Sequence, residues 1–109
     1  MSDWIFVCAT AQLLPGEKTV AWADDVPIVV VNLDGELYAL EDRCSHDDFE
    51  LSSGDIDPVE GSITCVLHGA RFDLRDGAAL CAPAYGPVAK FPVKVEHGGI
   101  WVRDDRTDP

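Results

Sequence analysis

An all-β fold, a sandwich or barrel of short antiparallel strands, is predicted by three features of this 109-residue sequence. Short apolar runs recur along the chain, and turn dipeptides containing Gly separate many of them. No stretch carries the 3.6-residue apolar periodicity of an amphipathic helix.

The elements follow in order. Trp4 to Cys8 is a short apolar strand, with Cys8 on its core side, and Lys18 to Ala23 is a second, after a turn at Pro15-Gly16. Pro27 to Leu33 and Glu36 to Leu40 flank Asp34-Gly35. Asp-Gly between two such runs is the strongest hairpin signal in the sequence, because both residues tolerate the positive φ that a tight hairpin turn requires. Ser62 to Val66, Ala70 to Leu74, Phe91 to Glu96 and Ile100 to Arg103 complete the strands. Asp76-Gly77 and His97-Gly98-Gly99 supply turns, so His97 reads as a solvated turn residue. Residues 42–58, polar and acidic, and residues 78–87, with Pro83, Gly86 and Pro87, read as long loops, which in a compact domain usually serve a function.

Length predicts one domain over residues 1–109. Hydrophobic residues at 47% and charged residues at 26% are ordinary globular usage. The longest apolar run, Val26 to Leu33, is broken by Pro27 and Asn32 and is too short to cross a bilayer. With no basic, apolar leader at the N-terminus, the expected location is the cytoplasm. Charge is uneven: the net is −12, and residues 1–60 hold 14 acids against Lys18 and Arg43, while residues 61–109 are balanced. Such a chain repels phosphate backbones and anionic membranes, so neither nucleic acid nor membrane is an expected partner. An acidic first half serves solubility or steers a basic protein partner.

Four cysteines and three histidines carry the chemistry. Cys44-Ser45-His46 lies in the first long loop, and Cys65-Val66-Leu67-His68 follows after 18 residues. Two Cys/His pairs one loop apart are the layout of a four-ligand metal site. Thiolate precedes imidazole in both, so two loops meeting in space can gather sulfur on one side and nitrogen on the other. A tetrahedral zinc ion makes no use of that segregation; a two-iron cluster does. A zinc site with the same ligands and a disulfide framework are the competing readings. Cys81, in the proline loop, is a candidate site for oxidation.

These pairs resemble the signature of the Rieske iron–sulfur proteins, C-x-H, a spacer, then C-x-x-H. The resemblance extends to Leu51-Ser52-Ser53-Gly54, to Phe72-Asp73 with Asp76-Gly77, and to Val88 through Val95, and so spans nearly the whole chain. It is strongest to the small ferredoxins of bacterial aromatic-ring dioxygenase systems. The spacer is slightly longer than usual there, with Asp57-Pro58 marking the extra length.

The resemblance implies a Rieske-like antiparallel β-sandwich or barrel whose cluster-binding subdomain is formed by two loops, about 42–58 and 65–73, with a proline loop at about 78–87. It implies one [2Fe–2S] cluster per subunit, with iron held by Cys44 and Cys65 on one side and by His46 and His68 on the other. Two neutral imidazoles in place of two thiolates lift the potential into a window of roughly −150 to +300 mV. High-potential relatives add a disulfide whose positions match Phe49 and Leu67, and hydroxyl donors whose positions match Ala70 and Phe72. Their absence here, with the carboxylates Asp42, Asp47, Asp48 and Glu50 in the same loop, predicts the low end of that window. The free nitrogens of the two imidazoles predict a potential that falls as pH rises.

Only His97 remains once the ligands are assigned, so no second iron site of two histidines and a carboxylate can be built. The expected role is therefore that of a one-electron carrier without a substrate pocket, not an enzyme. It would pass electrons from a flavin-dependent ferredoxin reductase to a terminal oxygenase, both docking through basic faces. The alternative is a redox or iron–sulfur status sensor, or an accessory to cluster assembly.

Overall fold

The computed structural model describes residues 4–23, 26–42, 51–65, 69–80 and 88–104. Among them there is no α-helix, and none of their segments is a helix long and apolar enough to cross a membrane. The strands are β1 (Ile5–Ala9), β2 (Lys18–Ala23), β3 (Val26–Leu33), β4 (Glu36–Glu41), β5 (Ile56–Asp57), β6 (Ser62–Thr64), β7 (Arg71–Asp73), β8 (Lys90–Phe91), β9 (Val93–Glu96) and β10 (Gly99–Val102). They form three antiparallel sheets, ordered β1–β10–β9, β2–β3–β4–β8 and β5–β6–β7.

The continuous apolar run of β3 has a simple cause: the strand is covered on both faces, as uninterrupted hydrophobic strands usually are. Ile28 and Val30 join Leu13, Ala21, Ala39, Phe91, Ile100 and Val102 in one core. Val29, Val31 and Leu33 face the other way and join Leu40, Leu51, Ile63, Cys65, Ala70, Phe72 and Leu74 in a second. The four-stranded sheet is thus the wall between a scaffold core and the core of the β5–β6–β7 subdomain.

The Asp34-Gly35 turn forms as expected. Both residues have positive φ (53° and 96°), and Leu33 pairs with Glu36 across them. Asn32 completes the turn, its Oδ1 accepting from the Gly35 N–H at 2.8 Å while its Nδ2 donates to the Leu13 carbonyl at 2.8 Å. His97, with φ of 53°, turns β9 into β10 and leaves its ring 88% exposed, the solvated turn residue expected.

Two expectations are revised. The run Phe91 to Glu96 is two strands: β8 pairs with β4, and β9 pairs with β10 in a different sheet. Pro92 stands at the break, where a residue with no N–H cannot donate to a ladder. The loop at 42–58 also contains a 3₁₀ turn, Leu51–Ser53, and β5. β5 is only two residues long, too short to leave an alternating pattern. The turn after it, at Pro58, Val59 and Glu60, lies at the end of β6 opposite Cys65, with the Asp57 carboxylate accepting the Val59 and Glu60 N–H groups at 3.0 and 3.1 Å. The additional spacer length marked by Asp57-Pro58 therefore falls away from the cysteine.

Candidate metal centre

Cys65 is the predicted ligand within the described residues; Cys44, His46 and His68 lie outside them, as do Cys81, Asp47, Asp48, Phe49, Glu50 and Leu67. Cys65 follows β6 and is 1% exposed, packed with Leu51, Ile63, Ala70 and Phe72. Its N–H donates to the Ala70 carbonyl at 2.6 Å, and its own carbonyl accepts the Gly69 N–H at 3.0 Å. The chain therefore leaves the sheet at Cys65 and re-enters at Ala70 with these two ends hydrogen-bonded side by side. Gly69 takes a φ of 75°, a conformation costly for a side chain with a Cβ.

The other loop is closed by Asp42. Both of its carboxylate oxygens are engaged by Ser52: the backbone N–H donates at 2.6 Å and the hydroxyl donates at 2.7 Å. At 4% exposure, Asp42 is, with Ser62, one of two buried polar side chains among the described residues. The sequence suggested a loop carboxylate adding to a negative field. Burial and a double hydrogen bond also make it a clasp between the two ends of the segment 43–50.

A third contact joins the two loops. Immediately after the 3₁₀ turn, Gly54 passes so close to the Thr64 carbonyl that a Cβ would lie 1.5 Å from that oxygen. The Thr64 N–H donates to the Asp55 carbonyl at 2.9 Å alongside it. Cys44 stands two residues beyond Asp42 in the chain, and Cys65 one beyond Thr64. At under 4 Å of reach per residue, both are tethered within one or two residues of the same junction.

The donor chemistry at this junction fits an iron–sulfur group. Cys65 offers a soft sulfur in an apolar, water-excluding wall, and the positions matching hydroxyl donors in high-potential relatives are Ala70 and Phe72, each 0% exposed. Cys8 is elsewhere, half-buried against the scaffold core, where burial pushes its thiol above the usual range. It is a packing residue, as the alternation of β1 suggested.

Residues 3–92 match the Rieske [2Fe–2S] domain. The chain is 38% identical over 99 residues to the 3-phenylpropionate/cinnamic acid dioxygenase ferredoxin subunit of Escherichia coli, covering 90% of this chain and 91% of that one. It is 40% identical over 100 residues to the subunit of the same description from Photorhabdus laumondii, with the same coverage. Among solved structures it superposes on the ferredoxin of carbazole 1,9a-dioxygenase from Nocardioides aromaticivorans with a TM-score of 0.87 and 33% identity, over 91% of this chain and 95% of that one. It superposes also on a chain in a complex of reduced oxygenase and oxidized ferredoxin of carbazole 1,9a-dioxygenase, with a TM-score of 0.85 and 31% identity, over 91% of each.

Proposed function

The chain belongs to the Rieske [2Fe–2S] domain family, with one [2Fe–2S] cluster per subunit and the role of electron carrier, and from that premise we propose that it carries single electrons from a flavin-dependent reductase to a terminal oxygenase. The whole of residues 1–109 is taken as the carrier domain, working in the cytoplasm, where thiols stay reduced. Cys44 and Cys65 would hold one iron, and His46 and His68 the other. The cluster, when bound, supplies a one-electron couple in the Rieske window.

The observation that carries this reading is the junction of Asp42, Ser52, Gly54 and Thr64. Short, closed segments of backbone tie the flanks of both Cys/His pairs to one end of the β5–β6–β7 sheet. The chain's own residues do three things there. The Asp42 clasp fixes where residues 43–50 begin and end. The Cys65–Ala70 turn fixes the second pair. The apolar wall of Leu51, Ile63, Ala70 and Phe72 excludes water from the sulfur side. Fixed ligand positions keep the change in geometry between redox states small, which fast electron exchange requires.

Partners that meet briefly gain more from charge steering than from a large apolar interface. The concentration of 14 acids in residues 1–60 supports docking to basic faces of both partners. The test is anaerobic stopped-flow transfer from the reduced holoprotein to an oxygenase component, at rising ionic strength. Transfer whose second-order rate falls at least about tenfold between low and high salt is expected. No transfer to any oxygenase would overturn the carrier reading, and a salt-independent rate would overturn the basic docking faces.

A further inference from the structure

β2 carries its apolar residues the wrong way round. Its small side chains, Ala21 and Ala23, point into the scaffold core at 9% and 6% exposure, while Val20 and Trp22 stand in solvent at 38% and 60%. Cross-strand pairs share a face. Val20 pairs with Val29, and Trp22 with Pro27. Val20 and Trp22 therefore lie on the face of the four-stranded sheet that the cluster-binding subdomain covers. Val29 and Val31 are fully covered there; over β2, the first strand in the sheet order, the cover stops short.

The position of Trp22 relative to the metal centre is specific. Its pairing partner Pro27 accepts the Asp42 N–H at 2.8 Å. Trp22 on β2, Pro27 on β3 and Asp42 just past the end of β4 thus form one row, spanning about 10 Å at ordinary strand spacing. Asp42 is the clasp from which the Cys44-Ser45-His46 loop departs, and the 3₁₀ turn at Leu51–Ser53 that closes this loop packs beside β2. Among the described residues, other aromatic rings that reach the surface are engaged within the chain. Phe6 packs edge-on against Trp101 at 5.2 Å, and the Lys94 ammonium lies 4.6 Å from the Trp4 ring centre. Among the described residues, Trp22 has no such ring or cation partner.

We propose that Trp22, with Val20 beside it, is the apolar anchor on which the terminal oxygenase seats when it takes an electron, an inference that rests on the carrier reading above. The partner surface it fits is an apolar hollow rimmed by Lys or Arg. The hollow takes the indole; the rim answers Asp24 and Asp25, the acids directly after β2 in the sequence. Tryptophan seated in a desolvated pocket is among the commonest interface hot spots. Its place beside the cluster loops lets one contact fix the orientation in which those loops meet the partner. Steering by charge sets how often the proteins meet, and the indole sets how long they stay.

The test uses the holoprotein and two oxygenase components as probes, those of 3-phenylpropionate dioxygenase and carbazole 1,9a-dioxygenase. Trp22→Ala and Trp22→Gln are compared with wild type by stopped-flow transfer, with Trp22→Phe as the conservative rescue and Val95→Ala as an exposed apolar control on β9. Visible absorption and midpoint potential report the state of the cluster. The Ala and Gln variants are expected to lose about tenfold or more in transfer efficiency, and to keep that deficit at about 0.5 M salt, where surface charges are screened. The Phe variant should recover most of the loss. Ala and Gln rates within about twofold of wild type would overturn the proposal. So would a variant that breaks up a dimer of this chain while transferring normally, since the occupant would then be a second copy. If wild type itself reduces neither oxygenase, it is the carrier reading that fails.

Discussion

The Asp42 carboxylate accepts two hydrogen bonds from Ser52, one from the backbone N–H at 2.6 Å and one from the hydroxyl at 2.7 Å. Hydrogen bonds to a charged acceptor are worth about 1.5–3 kcal/mol, and removing the carboxylate would leave a part-buried N–H unmatched. Asp42→Ala is therefore expected to cost about 2–4 kcal/mol and to lower the cluster content of purified protein. Asp42→Asn keeps one acceptor and should fall between. Urea unfolding together with the ratio of visible to ultraviolet absorbance checks this; an alanine variant with wild-type stability and cluster content would remove the clasp from the account.

Gly54 makes the strictest steric demand near the centre. A Cβ there would sit 1.5 Å from the Thr64 carbonyl oxygen, which is backbone and cannot swing aside. Gly54→Ala must push the first loop away from the strand leading to Cys65. The expected result is protein that retains its β-sheet circular dichroism but holds little cluster after reconstitution with iron and sulfide. Full cluster occupancy in this variant would show that the close approach is dispensable.

These two devices mark the boundary of what was legible beforehand. Strands with long apolar runs and a turn-specific dipeptide could be read directly: β2 begins and ends at the residues expected, and the Asp34-Gly35 hairpin pairs in the expected register. The division of Phe91 to Glu96 between two sheets was not legible, because a single proline signals a break in pairing without saying which sheet takes each half. At the centre, residue types and spacing pointed to the Cys/His pairs. What holds the loops together is a contact between residues ten apart and another between Gly54 and Thr64, and tertiary contacts of that kind leave no local pattern. The structural role of Asp42 was not legible for the same reason, since its partner Ser52 is ten residues away. Trp22 did leave a trace, in the inverted size alternation of Val20, Ala21, Trp22 and Ala23.

Neither Ala70 nor Phe72 carries a hydroxyl, and the consequence can be tested by introducing one. Ala70 is fully buried, and its carbonyl closes the Cys65 turn. A serine is nearly the same size and leaves that backbone hydrogen bond intact. A donor near the sulfur side favours the reduced, more negative state, so Ala70→Ser is expected to raise the midpoint potential. A differential of about 1 kcal/mol corresponds to about 40 mV for one electron. Protein-film voltammetry of wild type and variant at one pH measures the shift; an unchanged or lower potential would contradict the argument.

Tyr38 gives the scaffold an alkaline limit. Its hydroxyl donates to the Glu36 carboxylate, and that hydrogen bond, followed by burial, pushes the phenol above its ordinary value. A pKa raised by folding means that the folded state favours the protonated phenol. The resulting stabilisation is complete below the unfolded value of about 10 and is lost as pH climbs through the higher folded value. Stability is therefore expected to decline above about pH 10. Tyr38→Phe, with no proton to lose, should flatten that part of the profile while lacking the hydrogen bond at neutral pH. Urea midpoints across this range check it, and identical alkaline slopes would show that other groups set the limit.

The division of labour among cysteines and histidines yields the sharpest spectroscopic expectation. If sulfur from Cys44 and Cys65 and nitrogen from His46 and His68 hold different irons, replacing both histidines by cysteine makes the two irons alike. It also adds two negative charges to the oxidised centre. Such a variant should shift its potential towards the plant-type value near −400 mV, and its reduced-state paramagnetic resonance should move to a higher average g-value. Cys65→Ser removes a donor from an apolar wall where no water can replace it, and should abolish the visible bands. Three substitutions serve as controls: Cys8→Ser in the scaffold core, Cys81→Ser in the proline loop, and His97→Ala on the exposed β9–β10 turn. All three should leave the spectrum as it is. A wild-type signal that survives loss of His46 and His68, or vanishes with His97, would require a different set of ligands.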